Sequence, residues 1–488
     1  MKASVVFCVS GGSCMGIRLL HLHLHGLFRS QDLELGRDAD TGGQTLYVLE
    51  LVRNLAKRPE VEQVDVVTRL IRDPDLSEDY AQAREQICPG AGILRFPFGP
   101  DRYLRKELLW PHLEALADQL VEHLSRQTPK VDWIHAHYAD AGLVGALVSE
   151  RLGIPLVFTG HSLGREKRRR LLADGLDQKQ MERSYCLNRR IDAEEQALRR
   201  ADLVVTSTSQ EAEHQYSRYA SFRRERAEVV PPGFDADRFH AAGTPGEREQ
   251  VERLVLPFLR DPKRPPLLAI SRADRRKNIP ALVEAFAGSD VLRQHHNLVL
   301  VLGCRDDPRQ LEQQQREVFQ QLFDLVDRHD LYGLVAYPKQ HQRAQIPAFY
   351  RWAAHQRGLF VNPALTEPFG LTLLEAAACG LPMVATDDGG PRDIHARCRN
   401  GLLADVSVPG RLQRVLEDAL TDPQRWSRWS DGGVEAIHRH YSWDAHVGRY
   451  LSLMLKRLRK APSVSVVALP RCSGVPLQQR SLVSPAAP

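Results

Sequence analysis

The chain has 488 residues, room for two or three domains at about 100–200 residues each. Hydrophobic residues make up 43% and charged residues 26%, which excludes a disordered or fibrous chain and leaves a globular protein with large cores. Lys and Arg exceed Asp and Glu by five, 66 against 61, a weak basic excess that suits anionic phosphorylated substrates and falls short of the concentrated charge of a nucleic-acid binder.

In chain order, residues 1–16 match no recognisable element. The stretch 3–20 is mildly apolar but is broken by Gly11, Gly12, Ser13 and Arg18, and it makes a poor signal peptide. Short β-branched runs then predict strands at 19–24, 64–68, 93–97, 133–136, 156–159 and 203–206. Amphipathic helices lie between several of them, at 45–57 and 110–125. Gly, Pro and charge accumulate over 241–266 and mark a break. The same alternation then restarts, with strands at 267–271, 297–302, 335–337, 358–361 and 383–385 and helices at 280–286, 310–329, 370–379 and 409–420. A further helix is expected over 443–460, and 461–488, rich in Pro, Ser and Val, reads as a disordered tail. Strand–helix alternation of this kind predicts two α/β, doubly wound domains, 17–245 and 246–440, facing a cleft, with a C-terminal helix at 441–460. No run of about 18 uninterrupted apolar residues appears, so no membrane span is expected. The eight cysteines contain no CxxC pair, which argues against a zinc site or disulfide framework and favours a reducing cytoplasm.

Five segments carry candidate chemistry. Asp40-Thr41-Gly42-Gly43-Gln44 follows a strand and opens a helix, where paired glycines let backbone amides approach an anion; it also reads as an ordinary turn, and Asp38 with Asp40 admits a metal-binding acid pair. Thr159-Gly160-His161-Ser162 puts a histidine just past a strand, where it can hydrogen-bond reacting hydroxyls or serve the fold; GHSLG also spells the nucleophile elbow of serine hydrolases, without an oxyanion string upstream. His21, His23 and His25, and His135 and His137, invite a metal reading, but no acidic or thiol ligand completes either set. Arg165, Lys167, Arg168, Arg169 and Arg170, followed by Arg189 and Arg190, form a basic run with few aromatics interleaved, which reads as a solvated helix face rather than a nucleic-acid platform. Arg272 with Arg275, Arg276 and Lys277, at a strand end, can hold a diphosphate and stabilise its charge as it leaves, and also reads as a solvated turn. The most specific segment is Glu367-Pro368-Phe369-Gly370-Leu371-Thr372-Leu373-Leu374-Glu375. There a loop carboxylate precedes a Gly-led helix N-terminus, with a second carboxylate one turn in.

Together these strings resemble the sucrose-phosphate synthases, retaining glycosyltransferases of two Rossmann-like domains (the GT-B fold). The matching strings include HGLFRSQDLELGRDADTGGQ, HAHYADAG, TGHSLGREK, NRRIDAEE, VVPPGFD, ISRADRRKN, NPALTEPFGLTLLEAAACGLPMVAT and DDGGPRDIH. They cover most of residues 25–450. The resemblance implies that Arg272 and Lys277 hold the diphosphate of a UDP- or ADP-glucose donor, assisted by Gly43 and the amides of Gly370, Leu371, Thr372 and Leu373. It implies that Glu375 binds the ribose, Glu367 orients the glucose and His161 sits at the reacting centre, with His161, Glu367, Arg272 and Lys277 as the catalytic set. Gln44, Lys106, Tyr138, His161, Arg189 and Arg190 are implied for the fructose 6-phosphate pocket. No metal is implied as required, magnesium acting at most as a stimulant that pairs with free nucleotide. Neither nucleic acid nor membrane is implied as a partner. The chain ends soon after the transferase core, so a separate phosphatase is expected to act on the product. The rival readings are a related transferase using free fructose, such as sucrose synthase, and a catalytically silent sugar-nucleotide sensor. A dinucleotide oxidoreductase is disfavoured because no GxGxxG follows the first strand.

Overall fold

Among the described residues, fourteen strands form two sheets. The first comprises β1 (Ile17–Leu22), β2 (Val61–Arg69), β3 (Arg84–Cys88), β4 (Ala91–Phe96), β5 (Trp133–His137), β6 (Leu156–Thr159), β7 (Leu203–Thr206) and β8 (Ala227–Val229). The second comprises β9 (Pro266–Ile270), β10 (Asn297–Val301), β11 (Val335–Ala336), β12 (Leu359–Asn362), β13 (Met383–Thr386) and β14 (Gly401–Ala404). This computed structural model describes residues 16–458, apart from 174 and 304. The expected disordered tail and residues 1–15 of the N-terminal extension lie outside the described residues.

Strand order is β3-β4-β2-β1-β5-β6-β7-β8 in the first sheet and β11-β10-β9-β12-β13-β14 in the second. All pairings are parallel except the β3–β4 hairpin at one edge. In each sheet the order reverses beside its first strand, between β1 and β5 and between β9 and β12. A crevice opens at such a switch point, outside the carboxyl ends of the strands. The central strands are buried on both faces, with β5, β6, β7 and β10 sealed along their whole length, as parallel strands covered by helices must be.

Three strands were not expected from the sequence. The β3 segment REQIC is an edge strand with no apolar alternation, β8 has three residues, and β14 opens on Gly401, where a Cβ would lie 1.8 Å from the Met383 carbonyl. The break over 241–266 is partly helical. Thr244 and Glu247 form a reciprocal capping box on the helix Pro245–Val255, and Val251 and Val255 are fully buried in the second domain's core. Phe234 and Phe239 already belong to that core, so the chain enters the second domain before the break.

The chain crosses back near its end. The Phe234 amide donates to the Tyr441 carbonyl at 2.8 Å, and Phe234 and Ser442 form a parallel bridge, so the two crossings run side by side. The helix Trp443–Leu458 then packs on the first domain: Val447, Tyr450, Leu451 and Met454 are buried in one cluster with Leu19, Val48, Val52 and Val66.

Candidate active site

The first domain's half of the cleft is assembled at the carboxyl ends of β1, β5 and β6. Asp38 folds the loop before the helix Gly43–Leu55, taking the amides of Asp40 and Thr41 at 2.7 and 2.8 Å and the Thr41 hydroxyl at 2.9 Å. Asp40 is buried and ion-paired with Lys106, whose amide also donates to it at 2.8 Å. Burial pushes the Asp40 carboxyl up, but the hydrogen bonds from Lys106 outweigh it and hold the group below its usual range. Both carboxylates of the supposed metal pair are therefore committed to the fold and to Lys106. Gly42 and Gly43 face open space, with nothing within 4 Å of a Cβ at either position, so the helix N-terminus is accessible to an anion. Gln44, next in line, donates from Nε2 toward His23 Nδ1 at 3.0 Å.

Tyr138 directly follows β5 and His161 stands two residues past β6, with φ of +79° and +55°, a conformation that costs a non-glycine residue free energy and clusters at functional sites. His161 Nε2 lies 3.0 Å from His137 Nδ1, and His137 Nε2 lies 2.9 Å from His21 Nδ1. His135 is engaged at both nitrogens, by Thr159 at 2.9 Å and by Tyr450 of the C-terminal helix at 2.8 Å. Burial lowers His21 and His161 to about 3 and, with the neighbouring imidazoles, holds His135 and His137 well below the ordinary value. His21, His135 and His137 offer ring nitrogens within 4.8 Å of one another, as a metal would need. Of their six nitrogens, however, only His21 Nε2 lacks a hydrogen-bond partner. The donors of a metal set are spent on one another and on two hydroxyls.

Of the three cations that the resemblance implied, Lys106 and Arg190 lie near Lys167 and Arg189 stands apart. Arg190 is buried and paired with Glu194 at 3.0 Å, through Nε, while Nη2 reaches the Ser162 carbonyl at 2.5 Å and the guanidinium stacks 4.5 Å from the Tyr138 ring. Arg189 is exposed and lines neither cleft cavity. Lys167, which the sequence placed on a solvated face, is instead partly buried. Its ammonium lies 3.6 Å over the Tyr185 ring, and burial, then Arg190 and Lys106, lowers it to about 8. The rest of the basic run is paired locally: Arg169 and Arg170 to Glu166, Arg165 to Glu195 and Arg168 to Asn188. A cavity of about 390 Å³ is lined by His161, Ser162, Lys167 and Glu211 from the first domain and by Arg276 and Phe369 from the second.

The second domain's half stands at the ends of β9 and β12. Lys277 donates to Glu367 Oε2 at 2.6 Å, and the buried Asn362 donates to the same oxygen at 3.2 Å. Arg272 is exposed; with Lys277, Asn362 and Thr372 it lines a cavity of about 180 Å³. Gly370, at φ +100°, caps the helix Leu371–Ala378, whose first residue is exposed and whose leading amides have no intrahelical acceptor. The Glu367 loop is held from behind. Its amide donates to the Asp388 carbonyl at 3.0 Å, its carbonyl accepts from Gly390 at 2.9 Å, and Gly389, at φ +111°, comes so close that a Cβ would sit 2.0 Å from that carbonyl. Across the cleft, Ser209 and Gln210 donate to Asp393 and Asp388, each at 2.6 Å. The glycine pair was visible in the sequence, but only as a string, because its partner is 22 residues away along the chain.

Glu375 accepts from the Tyr350 hydroxyl at 2.9 Å, and burial pushes its carboxyl up to about 7. A carboxyl raised in the fold stabilises it fully at pH below its unfolded value, and that contribution is lost as pH rises toward 7. Glu375→Gln is therefore expected to raise the melting temperature of the ligand-free protein at pH 8 and to leave it nearly unchanged at pH 4.5, the difference growing by about 1.4 kcal/mol per pH unit up to about 7 and levelling off above it. Thermal melts at the two pH values check this, and an equal effect at both would remove the buried charge as the cause.

Comparison with known proteins agrees with this arrangement. Residues 42–233 match the family described as Glycosyl transferase 4-like domain, and residues 256–435 match Glycosyl transferases group 1. Among curated proteins, "Probable sucrose-phosphate synthase 2" of Arabidopsis thaliana is 38% identical over 90% of this chain and 47% of its own length. "Sucrose-phosphate synthase 4" of the same plant is 40% identical over 90% of this chain and 48% of its own. The chain spans about half the length of the curated relatives it matches. Among solved structures, a sucrose-phosphate synthase from Thermosynechococcus elongatus superposes with a TM-score of 0.63 at 24% identity, covering 91% of this chain and all of that one. The catalytic domain of starch synthase IV from Arabidopsis thaliana, bound to ADP and acarbose, gives 0.58 at 17%, again over 91% of this chain and all of that one. These likenesses show the GT-B fold. Matched over both domains, the chain belongs to the glycosyl transferases of these two families and is similar in sequence to sucrose-phosphate synthases.

Proposed function

We propose that this glycosyltransferase moves glucose from UDP-glucose or ADP-glucose to fructose 6-phosphate, with retention at the anomeric carbon, giving sucrose 6-phosphate. The observation that carries the reading is Lys167, which lines the cleft cavity together with His161 and is lowered to about 8 by burial first and then by Arg190 and Lys106. A partly desolvated ammonium on a cavity wall is stabilised by a phosphate dianion and gains nothing comparable from neutral fructose. On the donor side, Lys277, Arg272 and the open helix N-terminus at Leu371 offer the charge that a departing diphosphate needs. Glu375 lies within the same helix, suited to a ribose hydroxyl, and Glu367 is suited to a glucose hydroxyl.

Glu367 faces Lys277 and Asn362 rather than standing free as a nucleophile. That supports attack from the leaving-group face, with the departing phosphate taking the acceptor proton. Positioning and fixed charge then supply most of the rate. The product keeps the acceptor's phosphate, so release of free sucrose requires a phosphatase activity. The thiols Cys88, Cys186, Cys379 and Cys398 are unpaired, which fits a cytoplasmic setting. No helix among the described residues is long and apolar enough to cross a membrane.

The test is to incubate the purified protein with UDP-glucose or ADP-glucose and with fructose or fructose 6-phosphate, and to identify the product by mass and anomeric coupling. Sucrose 6-phosphate is expected; sucrose formed from free fructose at the greater rate would replace this reading by that of sucrose synthase. Turnover is also expected to persist in excess chelator, because cationic side chains and a helix N-terminus neutralise the diphosphate. Complete loss that is restored by added metal would return attention to the carboxylates and histidines of the first domain.

A further inference from the structure

Three imidazoles run in a line from the interior of the first domain to the cleft. His21 is on β1, His137 ends β5 and His161 follows β6, and the ring nitrogens meet at 2.9 and 3.0 Å. A neutral imidazole carries one N–H and one bare nitrogen. All three rings are held neutral by burial, far below their ordinary protonation range. Two N···N contacts between three such rings allow only two arrangements. In one, every ring is protonated at Nδ1, and His161 presents Nδ1–H outward. In the other, every ring is protonated at Nε2, His161 presents a bare nitrogen outward, and His21 buries an Nε2–H.

His21 Nε2 is buried and has no hydrogen-bond partner. A buried N–H without an acceptor is the rarer of the two defects in folded proteins. Sequential hydrogen bonds also polarise one another, so the line acts as a unit rather than as three independent rings. His161 Nε2 is occupied by His137, which leaves Nδ1 for the cavity that His161 lines.

We infer that His21 and His137 are positioning residues that fix His161 as a hydrogen-bond donor at Nδ1, aimed into the cleft. The unusual backbone of His161, at φ +55°, is then held by the same bond that sets its tautomer. The residue presents a proton to an oxygen of the bound sugar and is closed to the opposite role as an acceptor. Nothing is transferred: the proton stays on Nδ1, and the line only decides which nitrogen holds it. The functional arm of this inference rests on the transferase reading, whereas the proton positions do not.

Neutron diffraction from deuterated crystals of the whole protein, without substrate and near pH 7, reads the line directly. Deuterons are expected on Nδ1 of His21, His137 and His161, with their Nε2 atoms bare. A deuteron on Nε2 of any of the three overturns the inference, as does a doubly protonated ring. The kinetic arm compares His137→Phe with His137→Gln. The glutamine amide can accept from His21 and donate to His161 Nε2, so it preserves the direction of the line; phenylalanine abolishes it. Turnover is expected to fall about tenfold or more in His137→Phe, with the nucleotide-sugar KM little changed, and to recover most of that loss in His137→Gln. Equal damage in two variants with wild-type melting temperatures would show that His137 only fills space. Should the protein prove to have another acceptor, the neutron result still stands or falls by itself.

Discussion

Lys277→Ala is expected to lower kcat by about 10²–10³, the usual cost of removing one preorganised charge contact from a reacting centre. Lys277 follows β9, and its ammonium meets Glu367 Oε2 at 2.6 Å while lining the smaller cavity. Lys277 is 28% exposed at its side chain but Glu367 is buried, so Lys277→Ala also leaves a buried carboxylate with Asn362 as its remaining partner, and some loss of stability is expected beside the loss of rate. Glu367→Gln keeps the shape, and its amide oxygen can still accept from Asn362, yet it removes the charge opposite the ammonium. A comparable fall is expected. Because one group orients the other, the double variant should cost little more than either single change, as residues acting as a unit do. Single-turnover rates with saturating donor check this. Near-wild-type turnover in either single variant removes that residue from the mechanism, and full additivity removes the coupling.

Lys167→Ala is expected to raise the KM for fructose 6-phosphate by about tenfold or more, since a hydrogen bond to a charged group is worth about 1.5–3 kcal/mol, while the KM for the nucleotide sugar stays nearly constant. Lys167 shares its surroundings with Arg190 and Lys106, and burial together with those two cations lowers it to about 8. The wild-type enzyme should therefore lose acceptor affinity as pH rises through about 8. Lys167→Arg, which stays charged, should show a flatter profile. Arg190 is the wrong target for such a test: it is buried against Glu194 and the Ser162 carbonyl, and its removal leaves a buried carboxylate unpaired, a structural loss of about 3–5 kcal/mol. Arg189, exposed on the same helix, supplies the control, with an expected change below about twofold. The outcome that would sink this placement is an unchanged preference for fructose 6-phosphate over fructose in Lys167→Ala.

The parallel architecture was legible in the sequence because buried parallel strands are short β-branched runs with helices between them, as at 156–159 and 203–206. Edge pieces were not legible. The β3 segment is polar, and β8 is too short to carry a period. The acid-pair segment from Glu367 to Glu375 announced itself, since a glycine-led helix start between two carboxylates is local information. Two other features of the site were hidden by distance along the chain. The spacing of Gly389 and Gly390 means nothing until Glu367 lies against them, and Lys167 looks solvated until Tyr185 and Arg190 fold over it. The spacing of the histidines suggests coordination, but it does not show that strand pairing of β1 with β5 and of β5 with β6 places the rings of His21, His135 and His137 against each other, where every ring nitrogen except His21 Nε2 takes a hydrogen-bond partner.

The helix Trp443–Leu458, last among the described elements, completes the core of the first domain and brings Tyr450 to His135 and His446 to Tyr47. During synthesis this reverses the usual order in which an N-terminal domain folds first. The second domain, contiguous in the chain, can close as soon as it clears the ribosome. The first, whose last strand ends at Val229, must wait for the helix that starts at Trp443 before the cluster containing Val48, Val52 and Val66 is complete. A fragment ending near residue 240 should accordingly bind hydrophobic dyes and aggregate, and supplying residues 441–458 as a separate peptide should rescue it.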